Sequence, residues 1–194
     1  FESDYDELVW VLGLLSGVQG TQHDRAAGAV VGIPLDTPVK IARGVVCVDN
    51  KKWWGVPQAI RSAVWTSVPG ATPKGIDPWA ELASASSIGS ASGVRLANAI
   101  ELQANLGSGR TEEAKKNIVS FAAALQSTAA NAQWKTLDRT AWRQVLAASD
   151  RLWTRTSGHR TPFGELGRFP GSDDEEESEE EEDDLLENLD GNES

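Results

Sequence analysis

The stretch LDRTAWRQVLAASDRLWTRT, residues 137–156, divides into two faces when it is wound as a helix. Leu146, Ser149 and Trp153 fall within about 40° of Trp142, with Val145 and Leu152 about 60° to 80° to one side. Ser149 is small, and its hydroxyl can bond back to a carbonyl one turn earlier, so the apolar stripe is not interrupted. Arg139, Arg143, Arg151 and Arg155 take the remaining arc, between about 60° and 220°. One face is suited to a core and the other presents four guanidiniums. Asp138 is the expected cap of this helix. Trp142 and Trp153 are expected in the core.

The same periodicity recurs upstream. FESDYDELVWVLGLLSGVQG, residues 1–20, reads as a largely buried helix, capped by Asp4 or Asp6 and ended by Gly17 or Gly20. Pro57 suits the first turn of a helix through PQAIRSAVW. Asp77-Pro78 starts a short helix to Leu82, after which SASSIGSASG allows close backbone approach or a hinge. Helices are expected from Val94 to Leu106 and from Thr111 to about Ala130, the latter with Glu112 and Glu113 in its first turn, where the helix dipole favours acids. The β content is at most a small hairpin, Val39–Ile41 with Val45–Val48. The expected fold is therefore mostly α: a helical domain over residues 1–156, a Gly/Pro linker over 157–170, and a disordered acidic tail over 171–194.

Charge divides along the same boundaries. The chain carries a formal −11, yet GSDDEEESEEEEDDLLENLDGNES, residues 171–194, holds fourteen acids and no base. Residues 1–170 then have 18 Lys and Arg against 15 Asp and Glu, a mildly basic body. Its bases concentrate late: residues 134–170 hold seven, Arg160 and Arg168 among them, against three acids.

Arginine forks match phosphates and keep their charge, so the face of Lys135, Arg139, Arg143, Arg151, Arg155 and Arg160 suits a polyanion. Lys51 and Lys52, directly before Trp53 and Trp54, form a second cluster able to combine cation with aromatic contact. The plain alternative is a solvated amphipathic helix. Tethered by a short linker, the acidic tail can compete with phosphates for the basic face, or serve only as a solubilising brush. Leu185, Leu186 and Leu189 would line one side of a short helix formed on docking to a partner.

Other chemistry is thinly represented. Two histidines and one cysteine supply no metal cluster, and no cofactor motif is present. Cys47 with His23 and Asp24 can be drawn as a nucleophile, base and orienter. Cys47 nevertheless sits in the apolar run GVVCVD, where a small buried thiol is the ordinary expectation. A lone cysteine excludes an intrachain disulfide and with it a disulfide-stapled secreted fold, which leaves an intracellular or virion setting as the expectation. No run of eighteen apolar residues is present, so no membrane partner is expected. With no methionine anywhere, a chain beginning at Phe1 is expected to be a processed product or a fragment.

A helical lobe followed by an acidic segment is similar in layout to some nucleoproteins of RNA viruses, an analogy of architecture and not of motif. The expectation is a non-enzymatic nucleic-acid-binding or assembly protein of nucleoprotein or coat type, holding RNA by its phosphates without reading sequence. A homo-oligomer and a protein partner for the tail are compatible with it. The alternatives are an adaptor whose tail binds basic partners, and a fragment of an enzyme.

Overall fold

The computed structural model describes residues 1–170, and among these seven helices and no strand are found. They are α1 (Asp4–Ala26), α2 (Thr37–Gly44), α3 (Val56–Ser67), α4 (Pro78–Ser92), α5 (Leu96–Gly107), α6 (Thr111–Ser127) and α7 (Lys135–Ser157). Helix α5 is the centre: it packs against α3, α4, α6 and α7, while α1 and α2 close the far side of α3. Residues 93–100 are buried without a break, as a helix walled on several sides requires. None of these helices is long and apolar enough to cross a membrane.

Several local expectations change. Helix α1 is capped by Ser3, whose Oγ accepts from the Asp6 N–H at 3.2 Å, not by Asp4 or Asp6. It runs through Gly17 and Gly20 to Ala26. Gly17 is a contact and not a stop, since a Cβ there would lie 2.9 Å from Ile41 Cδ1 of α2. Only one side of α1 is buried: Leu8, Val11, Leu15 and Val18 face the core, whereas Val9 and Trp10 are exposed. The hairpin does not form, and Val39–Ile41 lies within α2. Pro38 fits a first helical turn, and two short strands with no third would be only marginally stable.

The Ser/Gly/Ala-rich piece continues as α4 through Ser92, with the Ser87 hydroxyl bonded back to Ala83 O at 3.0 Å and that of Ser92 to Gly89 O at 2.8 Å. Its small residues do allow close approach, because Gly89 sits beside Trp54 O and Val94 O. The turn before α3 uses Gly55 at φ 79°, where any Cβ would meet Ala85 O at 2.3 Å.

Helix α7 begins at Lys135, one turn before the expected cap. Asp138 is instead buried in its first turn and holds the core together. Its Oδ1 accepts the Arg95 backbone N–H at 2.9 Å, and its Oδ2 pairs with Arg95 Nη1 at 2.8 Å. Arg95 is fully buried, and its Nη2 donates to Ala124 O at 2.8 Å and to Thr128 O. One guanidinium therefore joins the start of α5, the end of α6 and the start of α7.

Residues 157–170 are not a free linker. Gly158, at φ 77°, reverses the chain, and Trp153 Nε1 donates to Arg168 O at 3.0 Å. Gly167 lies tight against Ala122 and Val119 of α6, and Phe169 is buried. This strap belongs to the folded unit and crosses from α7 to α6. Residues 171–194, with Leu185, Leu186 and Leu189, lie outside the described residues.

Candidate nucleic-acid interface

Every fourth residue of α7 from Lys135 to Arg155 belongs to one ridge: Lys135, Arg139, Arg143, Ala147, Arg151 and Arg155. Each step advances about 6 Å along the axis and turns about 40° about it. The five cations are exposed, and among the described residues none of them is found in an ion pair. The buried side consists of Asp138, Ala141, Val145, Ala148, Ser149 and Leu152. Its centre is turned about 70° from Trp142, directly away from Arg143. Trp142 and Trp153 are consequently half-buried at the flank of the core and not within it.

At the C-terminal end the ridge borders a hollow. Ala147, too small to fill its place, lines an open cavity of about 680 Å³ with Asp150, Arg151, Thr154, Arg155 and Arg160. Arg160 is three residues beyond the helix and depends on the strap for its position. The Thr161 N–H donates to Asp150 Oδ1 at 3.1 Å, and the Thr161 hydroxyl donates to Ser149 Oγ at 2.8 Å. Three guanidiniums thus surround one space against a single carboxylate, part of whose acceptor capacity is engaged by Thr161. Such a set offers forked donors to an oxyanion.

The second basic cluster is brought to the other end of the same ridge. Trp53 and Trp54 pack on Trp134, with ring centroids 6.0 Å and 5.4 Å from it, so the 51–54 turn abuts the residue preceding Lys135. Both tryptophans are buried, at 2% and 5% exposure, and present no face to a base. Lys52 lies 5.1 Å from the Trp53 ring and is held by Asp4 at 2.8 Å and by Glu7. Its partners, Asp4 foremost, raise its pKa, and Lys52 in turn holds the Glu7 carboxyl below the ordinary range. Lys51 is exposed, and no ion pair of it is found among the described residues.

No family model, curated protein or solved structure matches this chain.

The drawn nucleophile set is not assembled. Cys47 is exposed, not buried, and its thiol points at Gly44 O, 3.6 Å away. Trp10 of α1 donates to the same carbonyl at 3.0 Å. His23 lies thirteen residues further along α1, about 20 Å down the helix axis. Asp24 is buried and accepts the N–H groups of Val31 and Ile33 at 2.7 Å and 2.9 Å, so it orients a loop and no imidazole. Asp150, Thr154 and Thr161 are the neighbours of this hollow that the sequence reading did not name. Asp150 and Thr154 share α7 with Arg151 and Arg155, whereas Thr161 and Arg160 reach the same space only through the fold-back of the strap, which no spacing along the chain signals.

Proposed function

We propose that this chain is a non-enzymatic nucleic-acid-binding or assembly protein of nucleoprotein type, which holds a single RNA strand by its phosphates along the α7 ridge. The observation that carries the reading is the cationic row itself, exposed and without ion-pair partners among the described residues. Like charges four residues apart on a helix cost about 0.2–0.5 kcal/mol per pair. Three such pairs stand on this ridge: Lys135 with Arg139, Arg139 with Arg143, and Arg151 with Arg155. A row kept at that cost is what a phosphate track requires, and Arg160 adds to it at the hollow. The fourteen acids of residues 171–194 then act as an attached competitor for the same row.

The test is anisotropy of a labelled oligouridylate over a salt series, with the full chain and with residues 171–194 removed. The expected result is tighter binding without the tail and a steep loss with rising salt, log K falling by about 0.7 for each phosphate contacted. No affinity of the tail-less protein at low salt would sink the reading.

A second reading rests on a different surface. Tyr5, Val9 and Trp10 are exposed along α1 and Phe1 just before it, with Phe1 and Trp10 in ring contact at 6.2 Å. An apolar strip of this kind suits contact between copies of the chain or with another protein. Sedimentation of the full chain and of Val9→Lys separates an assembling protein from one that acts alone.

A further inference from the structure

Neither α2 nor α3 touches α7, and on their outer side lies an open groove of about 410 Å³. Val39 of α2 and Val46 just beyond it line one side, and Trp65 of α3 the other. Val68 and Pro69, of the loop after α3, complete the apolar lining. Val46 is 62% exposed and Trp65 half-buried, so this apolar surface is left open to water. The lining holds two cations, Arg43 and Arg61, and no acid. Neither is found in an ion pair among the described residues, and Arg61 lies 5.7 Å from the Trp65 ring.

Three other surfaces lack this combination. The hollow on α7 has arginines but no large apolar side chain. The α1 strip of Tyr5, Val9 and Trp10 is apolar, but it shares its first turn with Asp4, Asp6 and Glu7. A groove between α4 and α6 has Asn98, Glu101 and Asn105 of α5 along it, with Trp79 as its one large apolar side chain.

The α2–α3 groove therefore suits a ligand that is apolar on one side and anionic at its edges. Such a segment exists in the chain itself, as DDLLENLD, residues 183–190. Wound as a helix, it gathers Leu185, Leu186 and Leu189 within about 100° and leaves all four acids on the remaining arc. Asp184 and Asp190 are the acids nearest the two edges of the leucine face. Fourteen residues, 171–184, separate the leucines from the end of the strap, and extended they span up to about 45–50 Å. The strap lies on α6, which is joined to α2 through α5 and α3, three packing steps of about 8–10 Å each. The tether is long enough for the segment to reach the groove of its own chain.

We propose that residues 183–190 dock in the α2–α3 groove of the same chain, with the leucines on Val46 and Trp65 and the flanking carboxylates on Arg43 and Arg61. An amphipathic helix in an apolar groove takes its affinity from such leucine anchors, and the guanidinium forks fix its placement. Because the segment is tethered, a weak intrinsic affinity is enough to hold it. The proposal concerns the leucines and stands apart from the α7 ridge and its RNA.

Cys47, the only cysteine of the chain, is exposed next to Val46 and accepts a nitroxide spin label without any substitution. The test compares amide signals of the full, isotope-labelled chain with the nitroxide oxidised and reduced. Leu185, Leu186 and Leu189 are expected to lose at least twofold in intensity, and residues 173–177 much less. Val46→Glu alters an exposed side chain and places a repelling charge in the groove; it is expected to keep the Tm and restore the leucine signals. In the chain without spin label, Leu185→Ser, Leu186→Ser and Leu189→Ser together keep every acid, and are expected to move the amide signals of 39–46 and 65–71. The proposal is overturned by leucine signals of full intensity, by a loss that persists in folded Val46→Glu, or by a triple serine variant that leaves the groove signals in place. An equal loss in isotope-labelled chains mixed with separate spin-labelled chains also overturns it, since the segment then sits on a neighbouring copy.

Discussion

Replacing Asp138 by Asn tests the junction on which the fold turns. The Arg95 guanidinium is completely buried, and among the described residues Asp138 is its one anionic partner, at 2.8 Å. Asn keeps an acceptor for the Arg95 backbone N–H but leaves a buried positive charge shared among neutral oxygens. Breaking a buried pair from one side costs about 3–5 kcal/mol. The acceptors that remain, Ala124 O and Thr128 O, place Asp138→Asn near the lower end, about 3 kcal/mol. Arg95→Met is worse: it strands a carboxylate, and it takes the donor from Thr128 O at about 1 kcal/mol or more, Ala124 O keeping the Thr128 N–H at 3.1 Å, for about 5 kcal/mol in all.

Domains of this kind have only about 5–15 kcal/mol of stability, so either change consumes about a fifth of it or more. Urea unfolding followed by Trp fluorescence and far-ultraviolet circular dichroism reads both. With a slope of about 1–3 kcal/mol per molar urea, Asp138→Asn should lower the midpoint by roughly 1–3 M at unchanged slope. Arg95→Met combined with Asp138→Leu should cost much less than the sum of the two single changes. A cost below about 1 kcal/mol for Asp138→Asn, or strict additivity in the cycle, would refute the assignment of this pair as the tie between α5, α6 and α7.

Replacing Arg139, Arg143, Arg151 and Arg155 together by Gln should leave Tm level or slightly raised, because like-charge neighbours are relieved. It should also flatten the salt dependence of oligouridylate binding by about three units of slope, from about 0.7 per phosphate contact. An unchanged slope would show that the ridge is only solvated surface. Gly55→Ala puts a Cβ at 2.3 Å from Ala85 O at a positive φ, so a loss of more than about 1 kcal/mol is expected in thermal unfolding.

Burial raises the pKa of Glu101, so the folded state binds its proton more tightly than the unfolded chain. Its contribution to stability is therefore full below the ordinary value of 4.5 and declines as pH rises through the raised one; Glu101→Gln should remove that decline from a series of melts. Glu7 has the opposite sign. Lys52 lowers its pKa, so its contribution is present above 4.5 and is lost as pH falls further, and Glu7→Gln should flatten only that acid limb. Native Cys47 should react with a thiol reagent at close to the rate of a free thiol, because it is exposed.

Periodicity alone determined that the body is helical, located the central helix and α7 to within a few residues, and placed four arginines opposite an apolar stripe. It could do so because a helix repeats every 3.6 residues whatever it packs against. Composition likewise separated a basic body from an acidic end. Exact boundaries depended on partners distant in the chain. Gly17 and Gly20 do not stop α1, because Ile41 of α2 and Ile33 of the loop before it pack on the space they leave. Asp138 is no cap, because Arg95, forty-three residues earlier, claims its carboxylate.

Trp53 and Trp54 read as surface aromatics next to lysines until Trp134 covers them. The strap of 157–170 reads as a linker because glycine and proline mark turns without saying what the turns pack on. Tertiary structure alone brought Arg160 to Arg151 and Arg155, set Lys51 beside the start of α7, and enclosed Asn98, Glu101 and Asn105 between α4 and α6. That polar stripe was in the sequence at helical spacing. Whether such a stripe is solvated or enclosed depends on the neighbours of the helix, and those are set by contacts between residues far apart in the chain.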